Sequence, residues 1–323
     1  MSKPEQKEKY IVCINRAGLG NRIKGLISAM RLSRITGRKL LLYWENNQYL
    51  GCNFKDLFEN DLAQITKKQL KEIKKENSKV YRDVLEDDYN SYKFIIIDTW
   101  KFQFLPKEIP EGFSEIYPSE KANNIDFEFN RIPPEIREKL LDELESLRPR
   151  KEIVEFVDNF SKENKISECV GLQIRRGDTR FTVDGREKIS SDDKFIKVIN
   201  SLPNERFYLS TDGYNTLLLL KGMFGDRIIA YPEKEIKRSE KESVINGFKA
   251  ILILARTKHL YGSYLSTFAE MAWWFGGCNN KIDIVGIEDV KNEPKPITFF
   301  QKVIWKMKFY KVNFLRWLFR SYG

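Results

Sequence analysis

The sequence predicts an α/β protein in which two halves each alternate short strands with helices. Apolar runs of strand length begin near residue 9 and again near residue 169, and each is followed by a segment with helical periodicity. Strands that alternate with helices form parallel sheets through right-handed crossovers, and 323 residues are enough for two such domains. We therefore expect two Rossmann-like domains that face a cleft, over residues 1–148 and 149–293, followed by a tail over residues 294–323.

The first domain begins with a strand at Lys9–Asn15, which leads through a glycine-containing loop into an amphipathic helix. The pair Thr36-Gly37 predicts the end of that helix, since glycine is favoured just past a helix C-terminus. The other predicted elements are strands at Lys39–Trp44 and Tyr92–Thr99, a short helix at Asn53–Phe58, a charged, helical or loop-like solvated surface at 61–90, an irregular region at 102–130 and a helix from Pro133 to Leu147.

The domain boundary lies at Arg148-Pro149-Arg150, between residues 148 and 149, because proline breaks the preceding helix. From there the alternation is regular, as expected for a parallel sheet. The predicted strands are 169–175, 206–210, 227–230, 259–263 and 281–285, and the predicted helices are 151–163, 191–201, 217–220, 240–256 and 267–275.

Cysteine and histidine are too few for several kinds of site. The four cysteines, Cys13, Cys52, Cys169 and Cys278, lie far apart, which predicts reduced thiols in a cytoplasmic setting rather than disulfides or a zinc site. The single histidine, His259, nearly excludes a Ser-His-Asp site or a multi-histidine metal site, and we expect it to be structural. No apolar run approaches the length of about 20 residues that spans a bilayer, and no secretory signal is visible.

The positive charge is concentrated in the tail. Residues 294–323 contain seven Lys or Arg and no acidic residue, so they carry seven of the ten net positive charges of the chain. The body of the protein therefore gives little indication of nucleic-acid binding. Lys302, Arg316 and Arg320 recur at helical spacing among aromatic residues. This pattern predicts a basic amphipathic C-terminal helix that contacts an anionic membrane surface through 298–323, on the inner face of the membrane. The alternative is a terminal helix that packs on the first domain.

Two adjacent arginines follow the first strand of the second domain. Side chains alternate along a strand, so Arg175 and Arg176 should point in different directions, one into the cleft and one toward the loop. A guanidinium matches a phosphate and stays charged near neutral pH. Gly177 permits a tight turn, and Asp178 can orient an arginine or accept a proton. The alternative is a strand end with a surface salt bridge, which would contribute little.

A glycine loop, residues 16–22 (RAGLGNR), separates the first strand from the first helix. A strand, a glycine loop and a helix together aim backbone N–H groups and a helix dipole at an anion. Gly18 and Gly20 allow close approach, and Asn21 is a candidate cap or ligand contact. A dinucleotide site fits poorly, because the third glycine and the acidic ribose ligand are missing. The alternative is a tight turn that caps the helix.

Two further loops follow strand ends in the second domain. Asp212 follows the strand 206–210, and residues 262–268 (GSYLSTF) open the next helix. Because parallel strands end at one edge of the sheet, these loops should converge with Arg175. A diphosphate would find the arginine fork, hydroxyls and a helix N-terminus there. The sequence therefore predicts a phosphate-binding site at this edge, with residues 18–21 across the cleft.

These motifs resemble those of the GT-B fucosyltransferase superfamily, which includes bacterial α-1,2- and α-1,6-fucosyltransferases and protein O-fucosyltransferases. The motifs that carry the resemblance are residues 16–22, 173–178 (QIRRGD), 210–212 (STD) and 263–274 (SYLSTFAEMAWW), in the same order over most of the chain. The resemblance implies a GT-B fold, a GDP-fucose donor, inversion at the anomeric carbon and no metal or other cofactor. It also implies a saccharide acceptor, such as a surface polysaccharide or a lipid-linked glycan.

Carried over by position, the resemblance implies that Arg175 holds the donor β-phosphate and stabilises the departing GDP. Asp178 is the second predicted catalytic residue; with Arg176 it would also shape the loop. Asp178, Asp184 and Glu187 are candidates for a general base. The predicted donor-binding residues are Gly18, Gly20, Asn21, Arg22, Gln173, Arg176, Asp212, Ser263, Ser266, Thr267 and Phe268.

Gln173 departs from the family pattern, which has histidine at this position. Glutamine can donate a hydrogen bond but cannot become a cation. A GT-B transferase that uses another nucleotide sugar is therefore an alternative hypothesis. A non-catalytic, membrane-associated glycan- or phosphate-binding protein is a third, and it predicts binding without hydrolysis of any donor.

Overall fold

A four-stranded parallel sheet forms the first half of the fold. Its strands are β1 (Tyr10–Ile14), β2 (Lys39–Tyr43), β3 (Ser78–Tyr81) and β4 (Phe94–Ile97), in the order β2-β1-β4-β3. Strand β1 lies in the interior of the sheet, where Val12 pairs with Leu41 of β2 and Ile96 of β4. The three strands predicted in this half are confirmed.

A five-stranded parallel sheet forms the second half. Its strands are β5 (Val170–Ile174), β6 (Phe207–Thr211), β7 (Ile228–Ala230), β8 (His259–Ser263) and β9 (Lys281–Val285), in the order β7-β6-β5-β8-β9. All five residues of β5 are buried, as expected for the central strand of a sheet covered on both faces. The five strands predicted here are confirmed within a residue or two.

The structure is a computed structural model, and it describes residues 8–14, 17–81, 85, 87–98, 102, 105, 132, 134–176, 186–231 and 237–291. Its helices are α1 (Leu19–Thr36), α2 (Lys67–Ile73), α3 (Pro134–Ser146), α4 (Lys151–Glu163), α5 (Arg186–Ile189), α6 (Asp192–Ser201), α7 (Tyr214–Phe224), α8 (Lys241–Leu254), α9 (Thr267–Phe275) and α10 (Ile287–Lys291). Helix α1 ends at Gly37, whose φ of 66° lies in the left-handed region that favours glycine, as the sequence predicts.

The charged segment 61–90 is more ordered than the sequence indicates. It contains β3, which pairs with β4 alone and leaves Val80 43% exposed, and it contains α2, whose Leu70 and Ile73 are buried. An edge strand needs one partner and few apolar residues, so its pattern is weak. The predicted helical character is confirmed by α2, whereas the sequence does not predict β3, and the burial of Leu70 and Ile73 shows that this surface is only partly solvated.

One hydrophobic core connects the two halves. Leu26 of α1, Phe248 of α8 and Trp274 of α9 are fully buried in the same cluster, and α9 packs directly on α1. Burying such a side chain contributes about 1.5–3 kcal/mol, so this shared core holds the halves together. The opposite face of the second sheet packs against α6 and α7, through residues such as Phe195 and Leu220.

The described residues up to Ile287, which include both sheets, form one compact unit. The predicted domain boundary at residues 148 and 149 falls between α3 and α4 and stays a prediction. The predicted basic helix lies outside the described residues. Within the part of the chain that the structure describes, no helix combines the length and the apolar character needed to cross a membrane.

All four cysteines are free thiols. Burial raises the pKa of Cys13, Cys52 and Cys278 to about 12. These thiols are therefore protonated near neutral pH, which makes them poor nucleophiles.

Candidate active site

The candidate site lies where the strand order of the second sheet reverses. From β5 the chain builds outward through β6 and β7, and it then returns to add β8 and β9 on the other side. In open α/β sheets such a reversal leaves a crevice outside the carboxyl ends of the two central strands. Here those strands are β5 and β8, which end immediately before Arg175 and at Ser263.

Arg175 reaches across this crevice. Its backbone N–H donates to Ser263 Oγ at 3.0 Å, and its Nη1 donates to the carbonyl oxygen of Leu265 at 3.4 Å. The residue is half-buried. The guanidinium is thus directed toward the loop that begins α9.

Arg176 has a different set of partners. Its Nη2 donates to Asp192 Oδ1 at 2.6 Å and to the carbonyl oxygen of Ser190 at 2.9 Å, and its Nη1 donates to the Arg175 carbonyl oxygen at 2.7 Å. The side chain is only 11% exposed. These contacts favour the role of shaping the loop, and direct contact between Arg176 and a donor stays a prediction.

Asp212 connects Arg176 to a residue that the sequence analysis did not find. Its Oδ1 accepts from the Arg176 backbone N–H at 2.6 Å, and its Oδ2 accepts from Arg238 Nη2 at 2.7 Å. Arg238 precedes α8 and stands 26 residues after Asp212, in no recognisable motif. Only the folded structure brings this pair together.

The loop between β8 and α9 is tightly folded. Ser263 and Ser266 are fully buried, and Ser266 caps α9 by accepting from the Ala269 N–H at 3.4 Å. Leu265 has a φ of 54°, a left-handed conformation that is rare for leucine. Phe268 is half-buried and faces Gly247 of α8. The predicted residues of this loop are therefore brought together at the N-terminus of α9.

Ser190 is hydrogen-bonded to this loop and to the neighbouring strand. Its Oγ accepts from the Tyr264 N–H at 2.8 Å and donates to the Val285 carbonyl oxygen at 2.7 Å, while its own carbonyl oxygen accepts from Arg176. Ser190 is fully buried. Ser190 therefore joins the ends of β8 and β9 to the loop that carries Arg175 and Arg176. No motif in the sequence indicates this role.

The glycine loop of the first half meets α9 directly. A Cβ atom on Gly20 would lie 2.6 Å from the Thr267 carbonyl oxygen, so only glycine permits this approach. Gly18 is the N-cap of α1, with no side-chain cap, and the first turn of α1 has no acidic residue. The N-termini of α1 and α9 thus lie side by side, and both helix dipoles favour an anion there.

Arg22 is buried beneath this loop rather than exposed in it. It is 1% exposed, its Nε donates to the Ala17 carbonyl oxygen at 2.7 Å, and its Nη1 donates to the Glu45 carbonyl oxygen at 2.6 Å. The guanidinium stacks on Trp44 at 5.2 Å, and burial lowers its pKa to about 10, so it remains charged at neutral pH. These contacts indicate that Arg22 braces the loop. Asn21 lies beside it in the first turn of α1.

The two halves are also joined by a buried ion pair. Lys24 Nζ of α1 lies 3.0 Å from Glu270 Oε2 of α9, with side-chain exposures of 3% and 5%. Lys24 also lies 4.9 Å from the ring centre of Phe102. The pair fixes α1 against α9 one turn below the two helix N-termini.

Gln173 lies on β5, two residues before Arg175 and on the same face of the strand. It is 5% exposed, and its Oε1 has no hydrogen-bond partner among the described residues. A buried amide oxygen without a partner is uncommon. The residue that departs from the family pattern is therefore an available acceptor next to Arg175.

Three general-base candidates and His259 remain among the predicted residues. Asp178 and Asp184 fall outside the described residues, and Glu187 is on α5. His259 begins β8, at the opposite edge of the sheet from Arg175, where its Nε2 contacts Asp283 Oδ2 at 2.7 Å. This hydrogen bond agrees with a structural role for His259. No group of three potential metal ligands occurs within the described ranges.

Two surface cavities lie away from this site. One, of about 490 Å³, is lined by Cys169 and Arg206 at the amino ends of β5 and β6. The other, of about 580 Å³, is lined by Tyr10 and Phe94 at the amino ends of β1 and β4. Both are at the sheet edges opposite to the carboxyl ends where ligands of open α/β sheets bind, so we do not assign them to the chemistry.

No protein-family model matches the chain, and no curated protein sequence matches it. Solved structures do. The α-1,6-fucosyltransferase NodZ co-crystallised with GDP has a TM-score of 0.53 and 16% identity, over 83% of this chain and 92% of that one. Fucosyltransferase NodZ from Bradyrhizobium gives a TM-score of 0.54 at the same identity and coverage. A variant of Arabidopsis thaliana FUT1 in complex with GDP gives 0.54 at 16% identity, over 87% of this chain and 71% of that one.

This likeness concerns the fold. The chain has the GT-B architecture of the fucosyltransferases, with two parallel sheets whose carboxyl edges meet, and the predicted resemblance is confirmed at that level.

Proposed function

We propose that the protein is an inverting, metal-independent glycosyltransferase that moves fucose from GDP-fucose to a saccharide acceptor. The observation that carries the proposal is the position of Arg175 at a crevice where the N-termini of α1 and α9 lie side by side. A nucleotide diphosphate is an anion that both an arginine fork and helix N-termini stabilise. Fucosyltransferases of the same fold have been crystallised with GDP, which supports this choice of donor.

In the proposed reaction, the bond between the sugar C1 and the β-phosphate oxygen breaks as the acceptor hydroxyl attacks the opposite face of the ring. Negative charge grows on the departing GDP, and Arg175 and the N–H groups at the start of α9 stabilise it. Preorganised donors of this kind often supply the largest part of catalysis. Because the sugar passes through an oxocarbenium-like state, the acceptor needs only weak help from a base. Asp178, Asp184 and Glu187 remain the proposed candidates.

The other residues divide between contact and support. We propose that Gly18, Gly20 and Asn21 meet the ligand from the first half, while Thr267 presents its hydroxyl and amide from the second. Buried or fully engaged residues are assigned to support: Arg22, Arg176, Asp212 and Ser263 hold the loops, Ser266 caps α9, and Phe268 packs on α8.

A donor screen tests this function. The purified protein is incubated with GDP-fucose, GDP-mannose and UDP-sugars, with and without cell-envelope glycans, and nucleotide release and acceptor mass are measured. We expect consumption of GDP-fucose and a fucosylated acceptor, unchanged by a metal chelator. A preference for a UDP-sugar, or binding of every donor without release of nucleotide, would contradict the proposal.

Gln173 keeps one alternative donor open. A buried amide oxygen without a protein partner is satisfied best by a ligand hydroxyl or N–H group. The family histidine would present a different group at this position. A GT-B transferase for another nucleotide sugar is therefore the second candidate, and the same screen separates the two.

We further propose that the protein is cytoplasmic and contacts an anionic membrane surface through 298–323, where lipid-linked glycans would serve as acceptors. The basic and aromatic composition of this segment supports the proposal. In liposome flotation, the full chain should float with anionic vesicles and a chain ending at residue 295 should not. Equal recovery of the two would defeat the membrane proposal.

A further inference from the structure

A chain of hydrogen bonds runs from the first half of the fold to the peptide group beside Arg175. The Gly51 N–H donates to the Arg238 carbonyl oxygen at 2.8 Å, Arg238 Nη2 donates to Asp212 Oδ2 at 2.7 Å, and Asp212 Oδ1 accepts from the Arg176 N–H at 2.6 Å. We propose that Arg238 is a positioning residue: it fixes Asp212 and, through it, the direction of Arg175. The part of this inference that concerns turnover rests on the proposed function.

The peptide group between Arg175 and Arg176 is held at both ends. Its N–H donates to Asp212, and its carbonyl oxygen accepts from Arg176 Nη1 at 2.7 Å. A peptide group is planar, so two bonds on opposite sides leave it little freedom to rotate. The orientation of this plane sets where the Arg175 side chain leaves the backbone, and the Asp212 bond therefore controls the aim of the guanidinium.

Arg238 is itself anchored on the other half. A Cβ atom on Gly51 would lie 2.0 Å from the Ser239 carbonyl oxygen, so the two backbones touch at this point. Lys241 forms a second cross-link here, with Nζ 2.5 Å from Asp56 Oδ1. The Gly51 contacts thus fix the main chain of Arg238 from the first half, while its side chain bonds Asp212 in the second.

The charge and partial burial of Arg238 strengthen its hydrogen bond to Asp212. Its side chain is 35% exposed and that of Asp212 is 16% exposed, so the pair is partly shielded from water. Charge-assisted hydrogen bonds are shorter and stronger than neutral ones. The Arg238 guanidinium bonds Oδ2 while the Arg176 N–H bonds Oδ1, so the two contacts together favour one rotamer of the Asp212 carboxylate.

The test compares Arg238→Ala with Lys241→Ala, which removes the ion pair between Lys241 and Asp56 at the same junction of the two halves. We expect Arg238→Ala to lower kcat about 10- to 100-fold with little change in KM for GDP-fucose, because a misplacement of about 1 Å can cost about 100-fold. Arg238→Lys should restore much of the loss, and Lys241→Ala should leave kcat unchanged. Hydrogen exchange of the Arg176 amide, measured without ligand, should be about tenfold faster in Arg238→Ala only.

Normal turnover in Arg238→Ala, an equal effect of Lys241→Ala, or unchanged exchange at Arg176 would each overturn the inference. The exchange experiment needs no substrate. If the wild-type protein transferred no sugar from any nucleotide donor, the proposed function would fail, and exchange alone would decide whether Arg238 fixes this peptide.

Discussion

Replacing Arg175 by alanine should lower turnover about 100- to 1,000-fold, which is the usual cost of losing one preorganised donor to a developing negative charge. The fold should persist, because the backbone N–H of residue 175 keeps its bond to Ser263 Oγ without the side chain. The measurement is kcat with GDP-fucose and a fucosylated acceptor as product, together with circular dichroism of the purified variant.

Two further variants test whether the loss of turnover is specific to the Arg175 guanidinium. Arg175→Lys keeps the charge but loses the two-pronged donor geometry, so it should recover only part of the rate. Arg256→Ala removes a surface arginine, 37% exposed and paired with Asp158, and should leave turnover unchanged. Near-normal turnover in Arg175→Ala would remove this residue from the proposed mechanism.

The second large effect concerns stability. Replacing Lys24 by methionine should lower the free energy of unfolding by about 3–5 kcal/mol, because the variant leaves the Glu270 carboxylate buried without its cation. The measurement is a urea denaturation curve analysed for midpoint and slope. Since the pair joins α1 to α9, the loss should also loosen the junction of the two halves.

The double variant Lys24→Met with Glu270→Met should regain most of this stability, because an apolar pair of similar size needs no counter-charge. Lys93→Met is the matched control: its lysine pairs with Glu76 at 2.7 Å on the surface, and such pairs contribute little. Equal losses of unfolding free energy in Lys24→Met and Lys93→Met would contradict the idea that burial makes the Lys24–Glu270 pair important for stability.

The sheet architecture was largely predictable from sequence. Strands such as β5 are buried on both faces and therefore read as continuous apolar runs, and glycine marks the end of α1. Strand β3 was missed because an edge strand in a charged segment needs one neighbour and few apolar side chains.

The candidate site was predictable in part. Loops that follow parallel strands must share an edge, which is why Arg175, Asp212 and Ser263 were grouped correctly near one another. Sequence could not show that Arg22 is buried under Trp44, or that Arg238 pairs with Asp212. Those contacts depend on how loops from distant parts of the chain pack, and no spacing rule encodes them. The roles of Asp178 and of the tail stay predictions.

The backbone of Leu265 couples the stability of its loop to the placement of Arg175. A leucine at a φ of 54° is strained by about 1–3 kcal/mol, and this conformation directs its carbonyl oxygen at Arg175. Glycine at the same position would relax the loop and leave that oxygen less well directed. A more stable loop and a well-placed guanidinium therefore call for different residues at position 265.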